Sequence, residues 1–330
     1  MDKSFDFGIN LHNKGYESYP DELLCELLDE CVRMNLDIVR FNFVPKSEAD
    51  FEYAASVIER VHSHGLKLLL VVDSGDYLRR DEETLEKYYF DLFFRIGERL
   101  RDKVDIYGLF NEMDVASMHN DIGNIVNAGS DGLAREDYDP KRWRRSILSV
   151  KGASEGLKTA YPAAKCCVNF SWRHTALIYE MCRQGIAIDV IGCDWYADCE
   201  RAYSFEKLAW EISENLPDKE ILICETNYWM HPHPNATDTQ NRRLLDAGLR
   251  ASDQAVWAAD FAEKVYNLDN PKIIGIIFYE LMDEPAFEID SGRYNGESHF
   301  GFFECERSGS CRKPKPAVAS LSDRIAKIKA

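Results

Sequence analysis

Short apolar segments alternate with amphipathic segments from one end of the chain to the other. The apolar segments are continuous runs of six to eight residues, and such runs are typical of strands that are buried on both faces. The pattern predicts eight strands, at Phe5–Leu11, Leu36–Phe43, Leu66–Val72, Val104–Phe110, Lys165–Ser171, Ile188–Trp195, Glu220–Glu225 and Ile273–Tyr279.

The segments between these strands have the periodicity of helices. Pro20 opens the first helix and acidic residues follow it, which suits the positive end of the helix dipole. In the second helix, apolar residues from Phe51 to Val61 share one face, and Gly65 ends it. The remaining helices are predicted at Glu82–Leu100, Lys141–Ala160, Thr175–Gln184, Phe205–Leu216, Asn241–Asn267 and Pro316–Lys329.

Eight strands that alternate with eight helices indicate an α/β protein, a single (β/α)8 TIM barrel over residues 1–330. A doubly wound open sheet is the competing fold. Long connections follow strands 4, 7 and 8, at Met113–Asp139, Thr226–Gln240 and Glu280–Lys315. Barrel enzymes enlarge the loops at the carboxyl ends of their strands, so this distribution favours the barrel.

Composition and charge narrow the possible partners. The 330 residues carry a formal charge of −17, which argues against binding to nucleic acid or to an anionic membrane. No run has membrane-spanning length and the N-terminus lacks an apolar signal core, so a cytoplasmic protein is expected, with secretion still open if a signal has been removed. Nothing indicates an oligomeric state.

The ten cysteines contain no Cys-x-x-Cys pair, so a zinc ribbon or a thioredoxin-type site is not expected. Cys305 and Cys311 flank a short polar loop and could form a disulfide.

Two predicted strands end on a glutamate. Strand 4 runs into Asn111-Glu112, and strand 7 ends at Glu225. Carboxyl ends of parallel strands meet at one face of a barrel, so both carboxyl groups are expected to face the same cleft.

This arrangement resembles the retaining glycoside hydrolases of clan A, in families such as 5 and 39. Arg40 in Val-Arg-Phe-Asn and Tyr196 in Cys-Asp-Trp-Tyr also match, as does the tail from Gly301 to Ala317. The resemblance implies that Glu112 is the acid/base and Glu225 the nucleophile, with carboxyl groups about 5–5.5 Å apart. It further implies that Arg40 and Tyr196 keep Glu225 ionised, that Asn111 binds the sugar 2-hydroxyl, and that no cofactor or metal is required.

Aromatic and polar residues at the same strand ends are candidates for binding sugar. Aromatic rings stack on the apolar faces of sugars, although core packing explains the aromatic residues equally well. For the polar residues, exposure to solvent or bracing of a loop is an equally good explanation. Tyr279 stands where the clan usually has tryptophan. The aromatic candidates are Trp172, Trp195, Tyr228, Trp229 and Tyr279, and the polar ones are His12, Asn42, Asp73, His174 and Asp194.

Two other functions remain open. Glu112, Asp194, His174 and Glu225 could hold the metal of a sugar isomerase or epimerase, although Arg40 would oppose a bound cation. A barrel that binds carbohydrate without cleaving it is the second alternative. The motif Gly152-Ala-Ser-Glu-Gly156 resembles a serine-hydrolase elbow, but it lies within a predicted helix rather than after a strand.

These observations predict a retaining β-glycoside hydrolase that acts on an oligo- or polysaccharide. The sugar, the linkage and the choice between internal and terminal attack stay open.

Overall fold

The computed structural model is a closed barrel of eight parallel strands in sequential order. It describes residues 4–11, 20–72, 76–119, 131–228, 230, 237, 239–240, 249–286, 288, 292–305 and 312–330. The strands are β1 Asp6–Asn10, β2 Ile38–Phe43, β3 Lys67–Val72, β4 Ile106–Leu109, β5 Cys166–Ser171, β6 Val190–Asp194, β7 Glu220–Glu225 and β8 Ile273–Phe278.

The prediction of a (β/α)8 barrel is confirmed, and all eight predicted strands form. The open sheet is wrong because β1 pairs in parallel with β8, from Asp6 opposite Gly275 to Ile9 opposite Phe278, which closes the sheet on itself.

Ten helices are described around the barrel, and none of the described helices is long and apolar enough to cross a membrane. Two short ones, α4 and α7, directly follow strands and were not predicted. The helices are α1 Asp21–Arg33, α2 Glu48–Ser63, α3 Glu82–Leu100, α4 Met113–Ser117, α5 Pro140–Ala160, α6 Thr175–Arg183, α7 Ala197–Ala202, α8 Phe205–Asn215, α9 Leu249–Tyr266 and α10 Pro316–Lys329.

Apolar side chains fill the inside of the barrel below the carboxyl ends of the strands. One residue in two along each strand points inward, and these inward residues form a dry cluster. Its buried members are Ile38, Leu69, Val71, Ile106, Cys167, Val190, Leu222, Cys224 and Ile277. The next inward positions, at the carboxyl ends, are therefore the first that face a cleft.

The motif Gly152-Ala-Ser-Glu-Gly156 packs helix α5 against helix α3. A Cβ atom on Gly152 would lie 2.1 Å from the carbonyl oxygen of Glu86, and one on Gly156 would lie 2.2 Å from that of Phe90. The Ser154 hydroxyl donates to the carbonyl of Ala187 at 2.8 Å. The glycines thus allow close helix contact, and the serine lies inside a helix, as predicted.

We expect Gly152→Ala to lower the free energy of unfolding by about 3 kcal/mol, because the added methyl forces two rigid helices apart. The transition temperature should fall by about 5–10 °C in circular dichroism melts. Glu155→Ala is the control, because that side chain is exposed on the same helix and should change stability by less than about 0.5 kcal/mol. Equal stability of the two variants would contradict the packing explanation.

Candidate active site

Polar side chains replace apolar ones at the carboxyl ends of the strands. Each side chain points inward either because side chains alternate along a strand with a period of two or because that alternation is locally interrupted. The residues that make this polar layer are Asn10, Arg40, Asn42, Asn111, Glu112, Asn169, Asp194 and Glu225.

Glu225 reaches the interior through an irregularity in the strand pairing. Cys224 already belongs to the inner cluster, so regular alternation would turn Glu225 outward. The register between β6 and β7 shifts at this point, and Asp194 pairs with Glu225 rather than with Cys224. Such irregularities re-aim side chains next to active sites. Here one brings the Glu225 carboxylate onto Arg40.

Two donors hold the carboxylate of Glu225, one on each oxygen. Nη1 of Arg40 donates to Oε1 in a close ion pair, and the hydroxyl of Tyr196 donates to Oε2 at 2.9 Å. Hydrogen bonds to the charged form of a carboxyl group favour that form. Glu225 is 7% exposed, so these two donors, rather than solvent, bond its carboxylate oxygens.

Arg40 connects the β7 side of the site to the β4 side. Its side chain is 1% exposed, and Nη2 donates to Oδ1 of Asn111 at 2.7 Å. Burial alone would lower the pKa of Arg40, but the carboxyl groups of Glu225 and Asp194 raise that pKa above its usual range. Arg40 is therefore a fixed positive charge between the two strand ends.

The backbone around Glu112 turns sharply after β4. Glu112 has φ 41° and ψ 47°, and Phe110 has φ 67°. Residues with side chains are uncommon in this left-handed region, and they cluster at functional sites. Phe110 packs in the outer core against Tyr89 and Phe93 of α3, so the strand ends outward and the chain then brings Asn111 and Glu112 back to the cleft.

Glu112 is half-buried, and its pKa is raised to about 8. Loss of solvation is the largest cause, followed by the negative charges of Glu225 and Asp114, while Ser171 and Arg40 oppose the shift. A carboxyl group with this pKa is protonated at neutral pH. Glu112 can therefore donate a proton in the cleft that it shares with Glu225.

His174 supports the turn below Glu112 and does not face the cleft. Its Nδ1 lies 2.7 Å from Oδ2 of Asp114, and that oxygen also accepts from the backbone N–H of Ser171 at 3.1 Å. His174 and Asp114 are 0% and 2% exposed. Of the two roles that the sequence left open for His174, binding a sugar hydroxyl or bracing a loop, the structure supports the second.

The four proposed metal ligands of the isomerase alternative are not gathered around one point. His174 is occupied by Asp114, and Arg40 lies against Glu225. Among the described residues, no group of three or more His, Cys, Asp or Glu side chains is arranged to hold a metal ion.

The two tryptophans after β5 and β6 stack on each other, with ring centroids 5.3 Å apart and an interplanar angle of 11°. Trp195 is 0% exposed and its indole N–H donates to Glu200 at 2.9 Å. A sugar cannot stack on a fully buried ring, so of the two roles predicted for Trp195, binding a sugar or supporting the site, only the second is left. Trp172 is half-buried and stays a candidate platform, backed by Trp195.

Tyr279 continues β8 into the site, and a cis peptide bond joins it to Glu280. Its ring meets Phe300 edge-on at 5.7 Å, and the ring of Tyr196 packs on the same Phe300. Asn227, fully buried, donates to the carbonyls of Tyr279 and Phe300. Sequence reasoning missed Asn227, which fastens this wall, because no pattern marks a loop amide as buried.

Two asparagines on β1 and β2 carry buried amide atoms that have no hydrogen-bond partner within the described part of the chain. Both polar atoms of Asn10 and Oδ1 of Asn42 are in this state. Buried polar atoms are costly unless something bonds them. Asn42 was predicted because it lies near a predicted strand end. Asn10 was missed because the predicted strand continues to Leu11, whereas β1 ends at Asn10.

Some predicted residues lie outside the described ones, namely His12, Asp73 and Trp229, together with Cys311 of the possible disulfide. Cys305 donates its S–H to the carbonyl of Asp283 at 3.0 Å.

Comparison with known proteins identifies the family. The model of glycosyl hydrolase family 53 matches residues 103–301, more than half of the chain and a span that contains both Glu112 and Glu225. The chain belongs to glycosyl hydrolase family 53. It is thus a retaining clan A glycoside hydrolase, as the sequence pattern indicated, although the matching family is neither 5 nor 39.

Solved structures share the barrel of this family 53 protein. The Ignisphaera aggregans GH53 catalytic domain superposes with TM-score 0.63 at 15% identity, covering 97% of this chain and 96% of that one. A Cellvibrio japonicus xylanase, Xyn10A, in a thermostable mutant form, gives 0.69 at 12% identity with 98% of each chain covered. Xylanase 10B of Thermotoga maritima gives 0.63 at 16% identity, with 98% and 96% covered. No curated protein sequence matches the chain.

Proposed function

We propose that this family 53 protein hydrolyses β-glycosidic bonds of an oligo- or polysaccharide by double displacement, with Glu112 as acid/base and Glu225 as nucleophile. One observation carries the proposal. The two neighbouring carboxyl groups have opposite surroundings, because Arg40 and Tyr196 donate to both oxygens of Glu225 while burial and charge raise the pKa of Glu112. A retaining glycosidase requires one protonated and one ionised carboxyl group.

In the first step, Glu112 donates its proton to the departing sugar oxygen as Glu225 attacks the anomeric carbon. The product is a glycosyl ester on Glu225. Ester formation removes the Glu225 charge, which is the second cause of the raised pKa of Glu112. The pKa of Glu112 should then fall, so that its carboxylate can take a proton from the water that cleaves the ester.

Amides and aromatic rings around the two glutamates would bind the sugar. Asn111 accepts from Arg40 through Oδ1, which leaves its N–H2 group for a sugar hydroxyl. Asn10 and Asn42 carry the buried amide atoms that a hydroxyl or water would satisfy. Trp172 and Tyr279 offer rings at the ends of β5 and β8.

A substrate panel with product stereochemistry tests the proposal. Purified protein would be incubated with xylan, galactan, mannan and cellulose and with the 2,4-dinitrophenyl β-glycosides of the corresponding sugars. Proton NMR in the first minutes should show the β-anomer of the new reducing end before mutarotation. An α-anomer as first product would contradict double displacement, and activity lost on chelation would favour the metal alternative.

The pH dependence of kcat/KM should have a basic limb near pH 8. Glu112 acts while protonated, and its raised pKa of about 8 means that the active form decreases as pH rises through that value. An unperturbed glutamic acid would lose the proton near pH 4. A limb below about pH 6 in initial-rate profiles would show that burial does not hold the proton on Glu112.

A further inference from the structure

Asn169, on β5, occupies the centre of the polar layer with its amide bonded at both ends. Its Nδ2 donates to Oδ2 of Asp194 at 2.5 Å and to Oδ1 of Asn111 at 2.8 Å. Its Oδ1 accepts from the backbone N–H of Glu112 at 3.3 Å. Asn169 therefore touches both members of the Asn111-Glu112 pair.

These partners allow only one orientation of the Asn169 amide. In the flipped orientation, Oδ1 would face the oxygens of Asp194 and Asn111, and Nδ2 would face the N–H of Glu112. Each of the three contacts would then join two acceptors or two donors. Asp194 is 0% exposed, so no solvent reaches that carboxyl group to relieve a wrong contact.

The fixed amide of Asn169 in turn fixes the orientation of the Asn111 amide. Oδ1 of Asn111 accepts from Asn169 and also from Nη2 of Arg40 at 2.7 Å. Two donors on one oxygen fix which end of the amide points into the layer. The N–H2 group of Asn111, which has no acceptor within the described residues, is left to the substrate.

The same amide holds the backbone of Glu112, which lies in the left-handed region. Such a conformation persists only where the surroundings fix it, and the bond to Oδ1 of Asn169 is one of those restraints. Gly192 on β6 makes room for Asn169, since a Cβ there would lie 2.8 Å from the Asn169 Cβ.

Asp194 completes the chain as a buried acceptor. Burial, followed by the charges of Glu225 and Glu112, raises the pKa of Asp194 well above its usual range. Its Oδ1 has no partner among the described residues, while Oδ2 accepts from Asn169. Asp194 therefore orients Asn169 by accepting from Nδ2 on the side away from Glu112.

We propose that Asn169, oriented by Asp194, is a positioning residue that sets the amide of Asn111 and the backbone of Glu112 for proton transfer to the leaving group. This inference rests on the proposed roles of Asn111 and Glu112. It gives Asn169 of β5 and Asp194 of β6 an indirect part in the reaction, because both lie behind the residues that face the sugar.

A double-mutant cycle tests it, with kcat and KM measured on the polysaccharide that wild-type enzyme hydrolyses best. Asn169→Ala should lower kcat by about 10- to 100-fold, the cost of a small misplacement of reacting groups, with a smaller change in KM. In the Asn111→Ala background the same change should cost much less, because part of its effect is transmitted through Asn111. Equal losses in both backgrounds would overturn the positioning role, as would an unimpaired Asn169→Ala enzyme.

Two further comparisons separate positioning from damage to the fold. Val168→Ala removes a buried outward-facing side chain from the same strand, so it should lower the melting temperature while kcat stays within about twofold. Asp194→Asn, the neutral isostere, keeps an acceptor for Asn169 and should retain near wild-type kcat, whereas Asp194→Ala should behave as Asn169→Ala. Loss of activity in Asp194→Asn equal to that in Asp194→Ala would overturn the role of Asp194 as the acceptor that orients Asn169.

Failure of the proposed function gives a different result. If Asn111→Ala leaves kcat unchanged, the role of Asn111 falls and the inference falls with it. If Asn111→Ala is costly but Asn169→Ala costs the same in both backgrounds, only the positioning role is overturned.

Discussion

Glu225→Ala is expected to lower kcat by at least about 10⁴-fold while the barrel stays folded. The side chain supplies the attacking oxygen, and without a nucleophile no glycosyl ester can form. The substitution also leaves Arg40 buried without its closest anion, which should cost some stability. Glu225→Gln should be as inactive but more stable, because its amide oxygen can still accept from Arg40 or from Tyr196.

Glu220→Ala is the matched control, because Glu220 begins the same strand and pairs with Lys165 at the opposite end of the barrel. Its kcat should stay within about twofold of wild type. A 2-deoxy-2-fluoro glycoside with a good leaving group should label wild-type enzyme on the peptide that contains Glu225, as mass spectrometry would show. A folded Glu225→Ala enzyme with normal turnover, or labelling at another carboxyl group, would refute the assignment.

The barrel could be predicted from the sequence because its strands are buried on both faces. Each reads as an uninterrupted apolar run, such as Ile-Ile-Gly-Ile-Ile-Phe in β8, and these runs stand out between amphipathic helices. Closure could not be predicted in the same way, since it depends on pairing between β1 and β8 at opposite ends of the chain. The short helices α4 and α7 were missed because five or six residues carry too little periodicity.

The two glutamates could be predicted because they end two apolar runs, but the hydrogen bonds that govern them could not. Asn169 lies within a predicted strand, and only the barrel geometry places it against Asn111 and Asp194. The full burial of Trp195 could not be predicted for a related reason, because a strand end can turn its side chain outward into the core between barrel and helices. The position of a residue in a predicted strand indicates its level along the barrel axis. A bulge or a residue in the left-handed region then decides where its side chain points.

Glu112→Ala is expected to lower kcat/KM by about 10²- to 10⁴-fold on polysaccharide, the usual contribution of a general acid. The sugar oxygen that departs from a polysaccharide needs a proton, whereas dinitrophenolate leaves without one. On a 2,4-dinitrophenyl glycoside, kcat/KM should therefore fall by less than about tenfold. The basic limb near pH 8, which arises from the raised pKa of Glu112, should also disappear from the profile.

Azide distinguishes the two glutamates, because a small anion can enter the space that each alanine leaves. In Glu112→Ala, azide should attack the glycosyl ester on Glu225, restore turnover of the dinitrophenyl substrate and give the β-glycosyl azide. In Glu225→Ala, azide would attack the substrate directly and give the α-glycosyl azide. Glu98→Ala, at an exposed position on α3, is the control. Azide should not change its turnover, and its activity relative to wild type should be the same on both substrates. If Glu112→Ala gave the α-product and Glu225→Ala the β-product, the two roles would have to be exchanged.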